Sequence, residues 1–485
     1  MGQSLDREAV LAAVQSAGVV GAGGAGFPTH VKLAAKADTI IANGVECEPL
    51  LEVDQNLLGH YLDDVLAGIE AARMAVGAQQ AYLAVKAKHA KLMAKLQAAA
   101  ALPSWLEVIG LPDVYPMGDE QVLVHGVLGR VVPPRGIPLQ VGAVVLNIET
   151  LCNIAGALKG QPVISSYLTV AGAVATPSTM AVPVGTSVGE VITWASPLLG
   201  PGEFAVIEGG PMMGHLIEDL SEPVTKTTKG LIVLPLDHGV VVRLRAQATA
   251  VRRSFSVCSQ CTMCTDLCPR HLLGHPLWPH RIMRALAGVG VGAVAGVGGG
   301  AGLGPAARLR AGGQERRAEM LQGALLCSEC GVCDQYACFM GLSPRQVNQE
   351  LKRQFASLAA DNGSQSSVGA SEEHFPRSIG VSRDFQDSQV PTSRLLYRLD
   401  LARWVKPAPL RDPFPAPLTV SIPLKQHVGA EACALVQVGD VVARGDLIGD
   451  VLEGQLGAPV HSSISGVVQS IHDGVIVIRR GGSHG

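Results

Sequence analysis

A multidomain α/β protein carrying small β modules is what the sequence predicts, on three observations. Its 485 residues correspond to about three or four domains at a typical ~150 residues each. Hydrophobic residues make up 47% and charged residues 16%, enough apolar material for real cores and too little charge for a disordered chain. Only 4% of residues are aromatic while glycines number 57 and prolines 30, so the cores are expected to be packed by Val, Leu, Ile and Ala among many tight turns.

The formal charge of −3 offers no basic field for nucleic acid or for an anionic membrane surface. No Lys/Arg-led apolar run opens the chain, which begins with an amphipathic helix predicted over Leu5–Ala17, so a cytoplasmic location is expected. The uncharged stretch Ala285–Ala307 holds nine glycines and a proline; it reads as a flexible linker, not a membrane span.

The first chemical signal is Gly18–Lys32, GVVGAGGAGFPTHVK. Glycines 21, 23, 24 and 26 let the backbone approach a phosphate or a flat ring with no Cβ in the way, and the helix start carrying Lys32 favours an anion. An apolar strand at Asp38–Ala42 then runs into Asn43-Gly-Val-Glu46-Cys-Glu48-Pro49. Polar groups just past the carboxyl end of a strand sit where open α/β sheets bind ligands. Tyr115-Pro-Met-Gly118-Asp119-Glu120 and Asn147-Ile-Glu149-Thr150 repeat that placement. After Gly160, short alternating runs at Tyr167–Val174 and Val182–Ile192 predict a small β unit with one helix.

Eight of the eleven cysteines fall in two tight groups. Cys258, Cys261, Cys264 and Cys268, followed by Pro269, form the C-x2-C-x2-C-x3-C-P run of bacterial two-cluster ferredoxins, in which the fourth cysteine serves the neighbouring cluster. Cys327, Cys330, Cys333 and Cys338 repeat it with one extra residue before the last cysteine and Phe339 in place of proline. Reciprocal ligation assigns Cys258, Cys261, Cys264 and Cys338 to one [4Fe-4S] cluster, and Cys327, Cys330, Cys333 and Cys268 to the other. Disulfides would need an oxidising compartment, and zinc has no need of the triplet. Cys47, Cys152 and Cys433 stand alone and are expected to be buried small hydrophobes; His271, His275 and His280 are expected at the surface.

Residues 361–417 turn to Ser, Gln, Asp, Arg and Pro and read as a linker. Val436–Gly449 and Ala458–Val468 are then short strands with Gly-Asp turns. No lysine lies between Gly449 and Gly457, which excludes a lipoylated or biotinylated tip there. His461 is expected to be a surface histidine.

The segments GAGGAGFPTHVK, NGVECEP, YPMGDE and LNIETLCN together resemble the flavin-binding fold shared by the FMN-carrying subunit of respiratory NADH dehydrogenase and the C subunit of Rnf electron-transport complexes. That resemblance implies FMN held by Gly21, Gly23, Gly24 and Gly26 with Lys32 near its phosphate, and a flavin site lined by Asn43, Glu46, Tyr115, Gly118, Asp119, Asn147 and Thr150. It also implies that Phe27, Glu48 and Glu120 lie where NADH enters. Ala22, Val45 and Asp119 stand where the respiratory subunit has arginine, aspartate and glutamate, which bears more on NADH than on FMN. The β unit resembles an SLBB β-grasp domain, with GGPMMG at 209–214 matching the Rnf branch and its methionines expected in a core turn; the C-terminal module resembles a barrel-sandwich hybrid.

The fold expected is therefore a Rossmann-like FMN-binding α/β domain (1–160), an SLBB β-grasp domain and connection (161–250), a helical ferredoxin-like domain with two [4Fe-4S] clusters (251–360), a linker (361–417) and a barrel-sandwich (418–485). In the Rnf protein the barrel-sandwich precedes the flavin fold, whereas here it follows the clusters. With HPLWPHRIMRAL, YACFMGLSPRQVN and PTSRLLYRLDLARW, that order resembles the cobalamin reductase family of the propanediol-utilization microcompartment. The resemblance implies electron flow from NADH through FMN and two [4Fe-4S] clusters to cobalamin. It further implies an ATP:cob(I)alamin adenosyltransferase and shell proteins as partners, a place in the microcompartment lumen, and no nucleic-acid partner or integral membrane segment. The alternatives are the electron-input subunit of an Rnf-type membrane complex and a cluster-bearing scaffold or sensor.

Overall fold

The computed structural model describes residues 6–98, 102–199, 202–287, 320–361, 379–411 and 413–481. The glycine-rich stretch expected to be a flexible linker lies, from residue 288 on, outside the described residues. Among them, no helix is long and apolar enough to cross a membrane.

The first domain is built on a parallel sheet of β1 (Thr39–Gly44), β2 (Gln80–Lys86), β3 (Leu106–Leu111) and β5 (Ala143–Asn147), in the order β3-β2-β1-β5, with the short β4 (Val114–Tyr115) outside it. β1 reads Thr-Ile-Ile-Ala-Asn-Gly and is buried on both faces, as a central parallel strand must be. One face carries the helices Arg7–Ser16, Leu62–Val76 and Ile148–Leu158, through Val10, Val14, Ile69, Leu151 and Ile154. The other face packs Ile41, Ala84 and Val145 against Val122–Val124 of the helix Glu120–Leu128, and also receives Leu272, Leu273 and Phe385 from far along the chain. The first helix begins at Arg7, and the strand expected at 38–42 runs two residues further.

The second unit is a five-stranded sheet of β6 (Ser165–Gly172), β7 (Ser178–Pro183), β8 (Phe204–Glu208), β9 (His215–Ile217) and β10 (Gly230–Pro235), ordered β7-β6-β10-β8-β9. Only its first and last strands, β6 and β10, pair in parallel. The helix Val188–Ala195, capped by Ser187, covers one face. The helices Gln247–Val257, Pro279–Ala287 and Pro344–Asp361 then frame the two cysteine groups.

Residues 379–411 have no core of their own, as their composition implies, yet they are not loose. β11 (Val390–Pro391) pairs with β4, and Leu395, Leu399 and Leu401 are buried against Tyr115, Ile207, Ile232 and Cys330. Their few leucines complete a core to which the other units each bring one side.

The C-terminal module is a sandwich of β12 (Thr419–Pro423), β13 (Cys433–Ala434), β14 (Val441–Val442), β15 (Leu447–Asp450), β16 (Val460–His461), β17 (Gly466–His472) and β18 (Val475–Arg479). Its sheets are ordered β12-β18-β17-β14 and β13-β15-β16. Ile422, Ile448, Val460, Ile476 and Ile478 fill the space between them, joined by Val184 of the second unit.

Several single residues differ from expectation. Cys433 is exposed, because β13 is a two-residue strand at the edge of its sheet with both residues reached by solvent. Cys47 and Cys152 are only partly buried. His461 is buried, its end of β16 lying behind Pro459, whose carbonyl accepts from Lys226 of the second unit. His275 is buried where its Nε2 meets Val132 O at 3.0 Å, while the His280 ring shares a hydrogen bond with the Thr265 hydroxyl (2.7 Å). Of the paired methionines, Met212 is fully buried and Met213 exposed.

Candidate functional site

Asn43, the last residue but one of β1, and Asn147, the last of β5, are register partners, so two carboxamides stand side by side at the carboxyl edge of the sheet. The glycine loop lies over them. Gly21 N donates to Phe27 O (2.9 Å), closing the loop, and Ala22 N donates to the buried Thr150 hydroxyl (3.0 Å). A Cβ at Gly23 would overlap the Asn147 carboxamide, whereas one at Gly24 would meet nothing within 4 Å. The loop therefore presses on the strand end at one glycine and opens outward at the next. Gly26 rests on Gln426 and His427 of the C-terminal module.

The segment after β4 closes another side. Asn43 Nδ2 donates to Gly118 O (3.0 Å) and its Oδ1 accepts from Val45 N (3.1 Å). Gly118 N donates to Cys47 Sγ (2.9 Å), and a Cβ at Gly118 would run into Val45 O. Asp119 caps the helix Glu120–Leu128 by accepting from Gln121 N and Val122 N, and pairs with Arg270 at 2.9 Å. Arg270 stands two residues after Cys268, so this pair ties the flavin-type domain to the first cysteine group. Lys32 and Glu120, predicted separately, form a half-exposed pair at 2.9 Å, and Phe27 is exposed.

Glu46 and Glu48 turn inward. Glu46 accepts from Asp54 N (3.2 Å); burial and the neighbouring Asp54 carboxylate hold its carboxyl well above the usual range. Burial likewise pushes Asp54 up to about 6. Lys229, paired with the buried Glu149, is brought down to about 8 by burial. Glu48 accepts from Met212 N (3.0 Å) and Met213 N (2.8 Å), and burial raises it to about 7 against those bonds. Both its oxygens are thus committed to the 210–213 turn.

Four of the eight cysteines surround one space. Cys268 lines one small cavity with Cys327, Cys330 and Cys333. Burial pushes the Cys264 thiol up to about 12, with Cys258, Cys261, Cys268 and Cys338 adding their repulsion. Burial takes Cys268 to about 12 as well. Soft sulfur ligands crowded this way, with Arg345 beside them in the cavity, fit a thiolate-ligated iron–sulfur group. Among the described residues, no three His, Cys, Asp or Glu side chains form a site for a single metal ion.

Spacing did not reveal what surrounds them. Arg345 is buried, donates to Met212 O (2.6 Å) and pairs with the buried Asp334 at 3.1 Å. Asn348, 1% exposed, lines the Cys268 cavity with no hydrogen-bond partner of ordinary geometry for either amide atom, Cys327 being beside it. Tyr115 donates to Cys330 O at 2.6 Å. The sequence places Tyr115 in the flavin segment, but nothing in it shows that the hydroxyl reaches a cysteine loop more than two hundred residues away.

Three family profiles match the chain: the Nuo51 FMN-binding domain at residues 14–156, a 4Fe-4S dicluster domain at 257–343 and the RnfC barrel sandwich hybrid domain at 408–481. The C component of the Na(+)-translocating ferredoxin:NAD(+) oxidoreductase complex of Acetobacterium woodii is 35% identical over 279 residues, 56% of this chain and 60% of that protein. Cobalamin reductase PduS of Citrobacter freundii is 40% identical over 98% of this chain and 97% of its own length. The PduS protein of Salmonella typhimurium is 40% identical over 483 residues, 99% of this chain and 98% of its own. With that identity sustained from end to end, across flavin-type, cluster and barrel-sandwich domains alike, the chain belongs to the cobalamin reductase PduS family.

Proposed function

We propose that this chain is an NADH-dependent cobalamin reductase. The observation that carries the reading is the end-to-end likeness to cobalamin reductases, in a molecule whose flavin-type edge touches its cysteine core through Tyr115 and Cys330. FMN would be held at the carboxyl edge of the sheet by the loop at Gly21, Gly23, Gly24 and Gly26, with Asn43, Asn147 and Thr150 below and Gly118 beside it; the space over Gly24 supports that placement. FMN bound there would supply two-electron acceptance from a hydride and one-electron release. Lys32 and Glu120 would set the charge at the outer rim, where NADH would enter, with the exposed Phe27 as the flat apolar surface there. Glu48 serves this site indirectly, by fixing the 210–213 turn against the edge.

Cys258, Cys261, Cys264 and Cys338 would hold one [4Fe-4S] cluster and Cys268, Cys327, Cys330 and Cys333 the second, a pairing supported by the shared cavity at Cys268. The strand order of the second unit, 2-1-5-3-4 when its strands are numbered from its own start, supports reading it as a β-grasp of the SLBB kind. The product cob(I)alamin would pass to an ATP:cob(I)alamin adenosyltransferase within a microcompartment lumen.

The test is anaerobic turnover of the purified holoprotein. NADH should bleach the flavin and convert hydroxocobalamin to cob(II)alamin and cob(I)alamin with no membrane present. Reduction restored only by a ferredoxin or a membrane fraction would point to an Rnf-type role instead.

A further inference from the structure

The two cysteine sets are unequal. In the inner set, Cys268, Cys330 and Cys333 are each 8–9% exposed and Cys327 is partly buried. In the outer set, Cys261 is exposed and Cys258, Cys264 and Cys338 are partly buried. Among the described residues, three close contacts join the inner set or its neighbours to the flavin-type edge or to the 210–213 turn that Glu48 holds against it. Tyr115 donates to Cys330 O, Asp119 pairs with Arg270 just past Cys268, and Gly331 lies so close to Met212 O that a Cβ there would overlap it. Cys330 and Val332 share one core with Leu51, Tyr115 and Met212. The outer triplet makes none of these contacts. Its Cys258 accepts from Gln260 Nε2 (3.2 Å) in its own exposed loop, and Cys258 and Cys338 pack with Cys327 against the core that holds Cys268.

Resting on the flavin and cluster reading above, we propose that the molecule is polarised, with electrons entering at the inner set across Tyr115 and Cys330 and leaving for the acceptor from the outer set at Cys261. Electron transfer weakens steeply with separation, so the donor side belongs to the set packed against the flavin edge and the acceptor side to the set that solvent reaches. The balance is simple. NADH loses a hydride and becomes NAD+, two electrons travel one at a time, each lowers one cobalt centre by one oxidation state, and the proton is released to water.

The experiment charges the flavin of the anaerobic holoprotein by light and EDTA, so its outcome does not depend on NADH, and follows the clusters by EPR and hydroxocobalamin by absorbance. In Cys261→Ala the surviving inner signal should appear at the unmodified protein's rate, while reduction of hydroxocobalamin is lost. Loss of the light-driven inner signal, or cobalamin reduction that persists, overturns the proposal. Tyr115→Phe keeps the ring and removes the bond to Cys330; light-driven cluster reduction should slow while dithionite reduces both clusters as before. An unchanged light-driven rate in that variant overturns the entry path. Failure of NADH to bleach the unmodified protein's flavin is a separate result and counts against the NADH reading alone.

Discussion

The flavin-type edge and the cysteine core are held in shape by different physics. At the edge, the determining contacts are backbone approaches that a methyl group would block: Gly23 on the Asn147 carboxamide and Gly118 on Val45 O. Around the inner cysteines the determining contacts are buried polar side chains: the Arg345–Asp334 pair, Ser343 donating to Asp334 (2.8 Å), and the unpartnered Asn348. The first arrangement fails by steric exclusion and spares its surroundings. The second fails by leaving charges without partners, and the damage spreads.

The most severe local change expected is therefore Gly23→Val. Its branched side chain has no room beside Asn147, so the loop must lift from the strand end. Flavin content of the purified protein should fall to near zero while iron and acid-labile sulfide stay at the unmodified level. Full flavin occupancy in that variant would show that the loop is not held by close approach.

Asp334→Ala attacks the other region. It strands the Arg345 guanidinium, 3% exposed, and loss of one partner of a buried pair costs about 3–5 kcal/mol. Thermal unfolding should shift down accordingly and iron should be lost, with flavin retained. A variant that keeps its iron and its melting temperature would mean the pair is dispensable.

This contrast also explains what was legible in the sequence. Glycines at 21, 23, 24 and 26, and the cysteines at their three-residue steps, are patterns of backbone and covalent chemistry, so residue type and spacing carry them directly. The parallel strands at 39–44 and 143–147, with asparagines at their ends, follow from apolar runs that stop in polar residues. Arg345, Asn348 and Asp334 act through packing between units, and nothing in the string Pro-Arg-Gln-Val-Asn distinguishes a buried guanidinium from a solvated one. The same holds for residues 390–401, polar enough to read as linker, whose leucines matter only because three other units leave a gap there. Glu48, expected to face a nucleotide, is instead drawn to two amides by a turn some 160 residues away, and local sequence could not reveal that.

A smaller effect sharpens the comparison on the cysteine side. The Asn348 carboxamide lies against Cys327 with no oxygen partner for its N–H group, and donation to sulfur favours the more negative, reduced state of a cluster. Asn348→Leu should lower the midpoint potential of the inner signal. About 1 kcal/mol of lost hydrogen bonding corresponds to roughly 40 mV for a one-electron couple. An EPR-monitored redox titration checks this; an unmoved inner potential, or an equal shift in both signals, would show that the amide does not act on that set.

The least effect is expected where the two regions meet. Glu48 joins the edge to the turn that backs Gly331, and burial raises it from an ordinary 4.5 to about 7. Between those values the folded protein holds a proton that the unfolded chain has lost. Its contribution to stability is thus complete below about 4.5 and disappears as the pH rises through about 7. Glu48→Gln stays neutral throughout and keeps an oxygen for one of the two amides. The melting temperature of Glu48→Gln relative to the unmodified protein should therefore climb from pH 5 to pH 8. A difference that stays flat or falls over that interval would mean the amides of Met212 and Met213, which favour the carboxylate, outweigh burial, and the junction would then tighten with rising pH.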